Sequence, residues 1–245
     1  YEICACLVGS EMCIRDRLFA RIKAVYDQKD QANLTPEQNK LLEKVYNSFV
    51  RSGANLEGEA KEQYRALSKE LSLLTLQFGE NNLKETNDYK LVLTDPAQLA
   101  GLPQSAIDAA AETAKEKGVE GWVFTLQAPS YSPFMTYASN RDLRCKLYMA
   151  YNTKCTHDNE TNNLEIVKKL VNTRLAIAQL LGYNSFAEYN LQERMAENSG
   201  NVYKLLDQLL DAYTPTAKQE YAEVEALARQ LEGSDFTVMP WDWSY

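Results

Sequence analysis

The sequence predicts a mainly α protein with one small two-stranded β element. Three observations predict it. Apolar residues recur at three- and four-residue steps through most of the chain, helix start and stop signals bracket those stretches, and only two short runs switch to strict alternation. With 245 residues, 45% of them hydrophobic and 24% charged, the chain is long enough to bury a sizeable core as one large domain or two small ones.

The opening segment YEICACLVGSEMCIRDR, residues 1–17, differs in character from the rest of the chain. It has no initial methionine and no basic start before its short apolar stretch, so it makes a poor signal peptide. SEMCIRDR also resembles translated sequencing-adapter sequence. Residues 1–17 are therefore expected to be non-native and the natural N-terminus to be missing, leaving 18–245 to carry the fold.

Leu18, Ile22 and Val25 mark the tail of an interrupted helix in LFARIKAVYDQKD. Thr35, Pro36 and Gln38 then combine a hydroxyl cap, a proline in the first turn and a glutamine that can reach back, which is a strong start signal. The helix they open carries Leu41, Leu42, Val45, Phe49 and Val50 on one face and stops at Gly53. Its partner runs from near Glu59 through Tyr64, Leu67, Leu71, Leu74 and Phe78 towards Thr86, and the short connection makes the pair antiparallel.

The period then becomes two. Tyr89, Leu91 and Leu93 alternate with Lys90, Val92 and Thr94, which predicts a half-buried strand ended by Asp95 and Pro96. A helix from Gln104 to Lys117 closes at Gly118, and Trp122, Phe124 and Leu126 form a second alternating run. The two strands are expected to pair, because a lone strand leaves its backbone groups unsatisfied, with the intervening helix over one face.

Pro129 to Pro133 reads as a loop, with Ser132 capping one helix, or a pair broken near Asn140, that carries Arg141, Leu143, Arg144, Leu147 and Tyr148 to Tyr151. The polar link NTKCTHDNETNN comes after it. Next is the most fully specified stretch, Asn163 to Met195. Leu164, Val167, Val171, Ala178 and Leu181 stack on one side of a helix, Gly182 ends it in the left-handed conformation, and Ser185 with Glu188 forms a capping box that opens another. Two long helices are thus expected to meet at a corner. Arg174 lies on the apolar stripe and needs a partner, either a structural ion pair with its stem snorkelling along the face or a substrate contact.

Asn198 and Gly200 mark a turn. Val202, Leu205, Leu206, Leu209 and Leu210 make an amphipathic helix that Pro215 kinks or restarts, and Val224, Leu227 and Leu231 carry it to Gly233. The aromatics of FTVMPWDWSY have nothing after them to pack on. The chain is therefore expected to be cut in mid-domain and to be sticky or partly unfolded by itself. No repeat of fixed period is present, which argues against a solenoid.

Composition excludes several functions. A net charge of −8 supplies no basic face for phosphates, so no nucleic-acid partner is expected. The longest apolar runs fall far short of the roughly 20 residues that span a bilayer, so no membrane partner is expected either. Cys4, Cys6 and Cys13 crowd the first segment, and Cys145 with Cys155 have neither a disulfide framework nor zinc-site spacing. The single histidine, His157, is followed by Asp158 in a polar link and reads as an exposed loop residue. HExxH, GxSxG, GxGxxG and GxxxxGK[ST] are all absent. The acidic pairs Glu57 with Glu59 and Asp207 with Asp211 read as solvated helix faces. No catalytic, cofactor-binding or metal-ligating residue is assigned in this chain.

Five collinear stretches nonetheless carry a resemblance: FVRSGANLEGEAKEQYRALSKELSLLTLQF (Phe49 to Phe78), LAGLP (Leu99 to Pro103), APSYSPFMTYASNRDLRCKLYMAY (Ala128 to Tyr151), NTRLAIAQLLGYNSFAEY (Asn172 to Tyr189) and PWDWSY (Pro240 to Tyr245). Together they resemble the N-terminal, non-catalytic half of the thimet-oligopeptidase-like zinc metallopeptidases, most similar to the bacterial peptidyl-dipeptidases, with the oligopeptidase A branch next. The resemblance implies a helical channel wall of a zincin-type oligopeptidase that admits short peptides. It also implies a full-length parent whose Zn2+ polarises the peptide carbonyl and activates water, with HExxH and a later glutamate in a C-terminal half that this chain lacks.

The expectation is therefore an N-terminal helical region, 18–245, truncated before the catalytic domain and itself inactive. It would act in the cytoplasm, with the periplasm left open. Tyr131, Tyr137 and Arg141 are the residues to watch for a channel-facing role, against the alternative that Arg141 and Arg144 pair with nearby acids. A rival reading from another class is a self-sufficient helical scaffold that binds a partner.

Overall fold

A computed structural model describes residues 16–245. The adapter-like reading of 1–17 falls, but for its last two residues, outside them. Asp16 and Arg17 open helix α1 (16–26), and Asp16 pairs with Lys61 at 3.0 Å. Eight more α-helices are present among the described residues: α2 (Pro36–Arg51), α3 (Gly58–Asp88), α4 (Gln104–Glu116), α5 (Ala128–Tyr137), α6 (Arg141–Asn152), α7 (Leu164–Leu180), α8 (Phe186–Leu191) and α9 (Ser199–Glu232). Strands β1 (Leu91–Leu93) and β2 (Trp122–Phe124) make the only sheet among the described residues. The molecule is mainly α, as the periodicities predict.

The chain divides into two compact units. One holds the described residues up to Leu71 with Thr173–Tyr189, and the other holds Ser72–Asn172 with Asn190–Tyr245.

In the first unit the start of α2 is the expected capping box. Gln38 N–H donates to the Thr35 hydroxyl at 3.3 Å, and the Gln38 side chain accepts from Thr35 N–H at 3.0 Å. Buried Phe19 stacks on Tyr46 and Phe49. Gly53 (φ 77) turns the chain under the ring of Tyr64. The end of α7 is a Schellman motif, with Tyr183 N–H donating to Ala178 O and Gly182 N–H to Gln179 O, and Gly182 at φ 88. At the next start Ser185 Oγ accepts from Glu188 N–H, but the Glu188 carboxylate takes Asn184 N–H. The helix it opens, α8, is only six residues long, so the corner joins one long helix to a single short one.

Of the stripe expected on α7 only the C-terminal end is covered: Ala178 is buried, but Leu164, Val167 and Val171 are exposed, and Ile166, Leu170, Thr173 and Ile177 are buried instead. This helix carries two apolar stripes roughly a third of a turn apart, both satisfying a 3.6-residue period. Only tertiary packing chooses between them.

The second unit contains the main core. Strands β1 and β2 pair antiparallel, with Leu91 opposite Phe124 and Leu93 opposite Trp122. β1 is half-buried, with Leu91 and Leu93 inside and Val92 out. β2 is not, because Val123 is as buried as Phe124. Helix α4 packs on β2 and buries Ala110 and Ala114, whose small side chains permit a close approach. Leu99, Leu102, Leu126, Phe134, Met135, Ala138 and Leu147 complete the cluster.

Three further expectations change. The stretch Pro129 to Pro133 is not a loop, since α5 starts at Ala128 and runs through Pro133. A proline so near a helix start removes a single ladder bond, and Ser130 Oγ accepts from Thr125 N–H to brace the first turn. Asn198 is the N-cap of α9 rather than a turn residue, accepting from Asn201 N–H at 2.9 Å, and Gly200 lies inside the helix. Pro215 does not restart that helix, which is continuous for 34 residues. Of the two readings for the following stretch, the structure has the pair: the chain breaks at Asn140, whose side chain caps Leu143 N–H.

Candidate functional site

The C-terminal aromatic stretch, expected to lack packing partners, docks on α6 of the same unit. After Gly233 ends α9 at φ 113, residues 234–239 lead into a turn, Pro240–Asp242, that places one carboxylate between two arginines. Asp242 accepts from Arg141 Nε at 3.0 and 3.1 Å and from Arg141 Nη2 at 2.7 Å. Arg144 Nη2 donates to Asp242 Oδ1 at 2.9 Å, and Met239 N–H donates to Oδ2 at 3.0 Å. The fork of Arg141 and the two oxygens of Asp242 thus form a bidentate pair, the geometry in which a guanidinium binds most strongly.

Arg144 is 3% exposed and Asp242 7%, while Arg141 is 38% exposed. A cation as buried as Arg144 needs partners at its nitrogens. Each has one: beside the Nη2 bond to Asp242, Nη1 donates to Ala138 O at 2.7 Å and Nε to Trp241 O at 3.3 Å. Arg141 Nη2 also reaches Thr237 O at 2.8 Å. The guanidiniums lie over aromatic rings, Arg141 4.2 Å from Phe236 and Arg144 3.8 Å from Tyr245. Trp241 meets Tyr148 edge-on at 6.2 Å.

Burial works to raise the Asp242 carboxyl. The hydrogen bonds from Arg141, Met239 N–H and Arg144 outweigh it, and the group ends below the usual carboxylate range. The same pairing raises Arg141. A carboxylate saturated with donors beside two permanently charged arginines is built to hold a chain in place, not to move a proton. A cavity of ≈ 250 Å³ adjoins the pair, lined in part by Val224, Leu227 and Leu231 of α9 and by Val238 and Tyr245.

The other residues singled out by sequence are scattered. Tyr131 stacks on Tyr151 at 4.4 Å, and burial raises its phenol. Tyr137 is exposed. The Arg174 guanidinium lies 5.5 Å from the Phe186 ring centre. Glu57, Glu59, Asp207 and Asp211 are exposed, as read from the helical faces.

The polar link between α6 and α7 is less bland than its composition. Glu85 of α3 accepts from Cys155 N–H at 2.7 Å and from the Thr161 hydroxyl at 3.0 Å, and Asn163 Nδ2 donates to Phe78 O. These bonds tie the link to α3 and hold Cys155 at φ 59. Burial first, and Glu85 second, push the Cys155 thiol up to about 11, which makes it an inert core side chain. His157 is half exposed, 3.7 Å from Glu85.

These residues do not fit a zinc ion. The chain has one histidine, and among the described residues no three His, Cys, Asp or Glu side chains converge on a point that could hold a metal. Among them, too, no helix is long and apolar enough to cross a membrane.

Sequence reasoning missed Asp242 and Glu85. Asp242 stands 98 and 101 residues from its arginines, and no local periodicity reports a pairing at that distance.

Comparison with known proteins gives one consistent answer. Residues 134–245 match Peptidase family M3. The chain is 33% identical to oligopeptidase A of Haemophilus influenzae over 229 residues, covering 92% of this chain and 34% of that protein. It is 33% identical to oligopeptidase A of Escherichia coli over 232 residues, 93% of this chain and 34% of the relative. Against dipeptidyl carboxypeptidase of Escherichia coli it is 29% identical over 239 residues, 97% and 35% respectively. The chain thus spans about a third of the length of the curated relatives it matches.

Proposed function

Because the chain belongs to peptidase family M3, the thimet-oligopeptidase-like metallopeptidases, we propose that it forms the N-terminal, non-catalytic helical part of a longer enzyme that cleaves short peptides. In this reading residues 18–245 supply part of a channel wall. The zinc ligands and the general base belong to the remaining two thirds of the polypeptide. This chain contributes no catalytic, cofactor-binding or metal-ligating residue, and the enzyme acts in the cytoplasm.

One observation carries the proposal: nearly the whole chain aligns with peptidases three times its length, yet its single histidine cannot supply a zincin's metal site. The donor set present does not fit zinc, so no reaction step is assigned to these residues.

The test is hydrolysis of fluorogenic short peptides by the purified chain with and without added Zn2+. The expected outcome is no turnover above buffer in either. Zinc-dependent cleavage by these residues alone would overturn the reading. The second reading, a self-sufficient helical scaffold, draws on the exposed apolar stripe of α9, where Tyr203, Leu206 and Leu210 stand more than half exposed. A native stop codon directly after Tyr245 in genomic DNA would favour it. An open frame continuing to HExxH would favour the peptidase.

A further inference from the structure

Residues 234–245 have no helix or strand of their own except the turn Pro240–Asp242. Among the described backbone bonds theirs are local: Phe236 N–H to Gly233 O, Asp242 N–H to Met239 O and Tyr245 N–H to Asp242 O. The hydrogen bonds that join them to α6 come from two side chains, Arg141 and Arg144. Four of the six end on Asp242, and the other two on the Thr237 and Trp241 carbonyls. Helix α9 adds a single long bond, Arg229 Nε to Phe236 O at 3.4 Å.

Apolar packing is thinner. Val238 is buried and Trp241 leans on the core, but Trp243 and Tyr245 are 57% and 58% exposed. The ≈ 250 Å³ cavity separates part of the segment from Val224, Leu227 and Leu231 of α9. Side chains that border a gap have lost dispersion partners on that side.

We propose that residues 234–245 form a strap with one catch: Asp242, gripped by Arg141 and Arg144, holds the strap on α6, and without that carboxylate the strap lifts as a unit while the core beneath stays folded. Release is local because Arg144 does not become a stranded cation. It keeps the Ala138 and Ser139 carbonyls, both outside the strap, and gains water where the strap lay. Lifting frees the guanidinium pair, whereas Val224, Leu227 and Leu231 of α9 are 41–74% exposed with the strap docked, so the catch governs access to the two arginines. Both partners of the catch lie within residues 134–245, the stretch that matches the family.

Hydrogen exchange followed by mass spectrometry on the full chain tests this, comparing wild type with Asp242→Asn and Arg141→Lys. Asp242→Asn keeps the shape and removes the charge. It is expected to speed exchange across 234–245 at least tenfold, with β1, β2 and α6 unchanged. Arg141→Lys keeps the charge but loses the fork, and should give a smaller increase in the same peptides. Unchanged exchange in 234–245 would show that Trp241 packing holds the strap and would overturn the proposal. So would loss of protection throughout 72–172, which would make Asp242 a core residue rather than a catch.

Discussion

At the scale of single residues, Asp242 shows how the desolvation cost of a buried charge is offset by its hydrogen bonds. Taken alone, a carboxylate 7% exposed would be driven towards protonation. Five hydrogen bonds from Arg141, Arg144 and Met239 N–H reverse that. Its folded-state pKa lies below the ordinary value, which for an unfolded aspartate is about 3.9. The stabilisation it gives is therefore in full force above that value and is lost as pH falls through the lower folded value. The strap should stay docked from neutral pH down to about pH 4. An NMR titration of the Asp242 carboxyl is expected to show a midpoint below that of an exposed aspartate, and one at or above it would contradict the geometry. Residues that act within their own turn were legible: Thr35, Asn140 and Gly182 do what their neighbours imply. Asp242 and Glu85 were not, because their partners lie on other elements.

At the scale of elements, the sheet depends on a glycine. Gly121, at φ 95, immediately precedes β2 with its α-carbon so close to β1 that an added Cβ would meet the Leu93 carbonyl oxygen. Gly118, at φ 65, has open space around it. Gly118→Ala should therefore cost about 1 kcal/mol for backbone strain alone, and Gly121→Ala clearly more, since the strands must also part. Urea denaturation of the two variants measures this, and equal midpoints would show that strain rather than contact sets both costs. Existence and type of the elements were largely readable from period and caps. The extent of α8, the start of α5 and the continuity of α9 through Pro215 were not, because a proline or cap signal states what a backbone tolerates and packing decides whether the helix runs on.

At the scale of the whole molecule, α9 stands out. Tyr203, Leu205, Leu206, Leu209, Leu210 and Tyr213 are between 41% and 66% exposed, a contiguous apolar stripe of the kind that surfaces seldom leave bare without use. The chain is expected to enhance the fluorescence of a hydrophobic dye, and Leu206→Glu with Leu210→Lys to cut that signal by at least half. An unchanged signal would place the dye elsewhere. What the sequence by itself determined is local: helices where apolar residues step by three and four, two strands where they alternate, and the capped ends, because each depends on residues within a turn or two. The family resemblance was legible too, through collinear motifs. Only the tertiary structure decided which of the two stripes on α7 is buried and that the aromatic tail docks on this chain's own α6. It also joined Asp242 to arginines about a hundred residues away. Those outcomes depend on surfaces that meet only after the chain has folded, and no periodicity in the sequence records them.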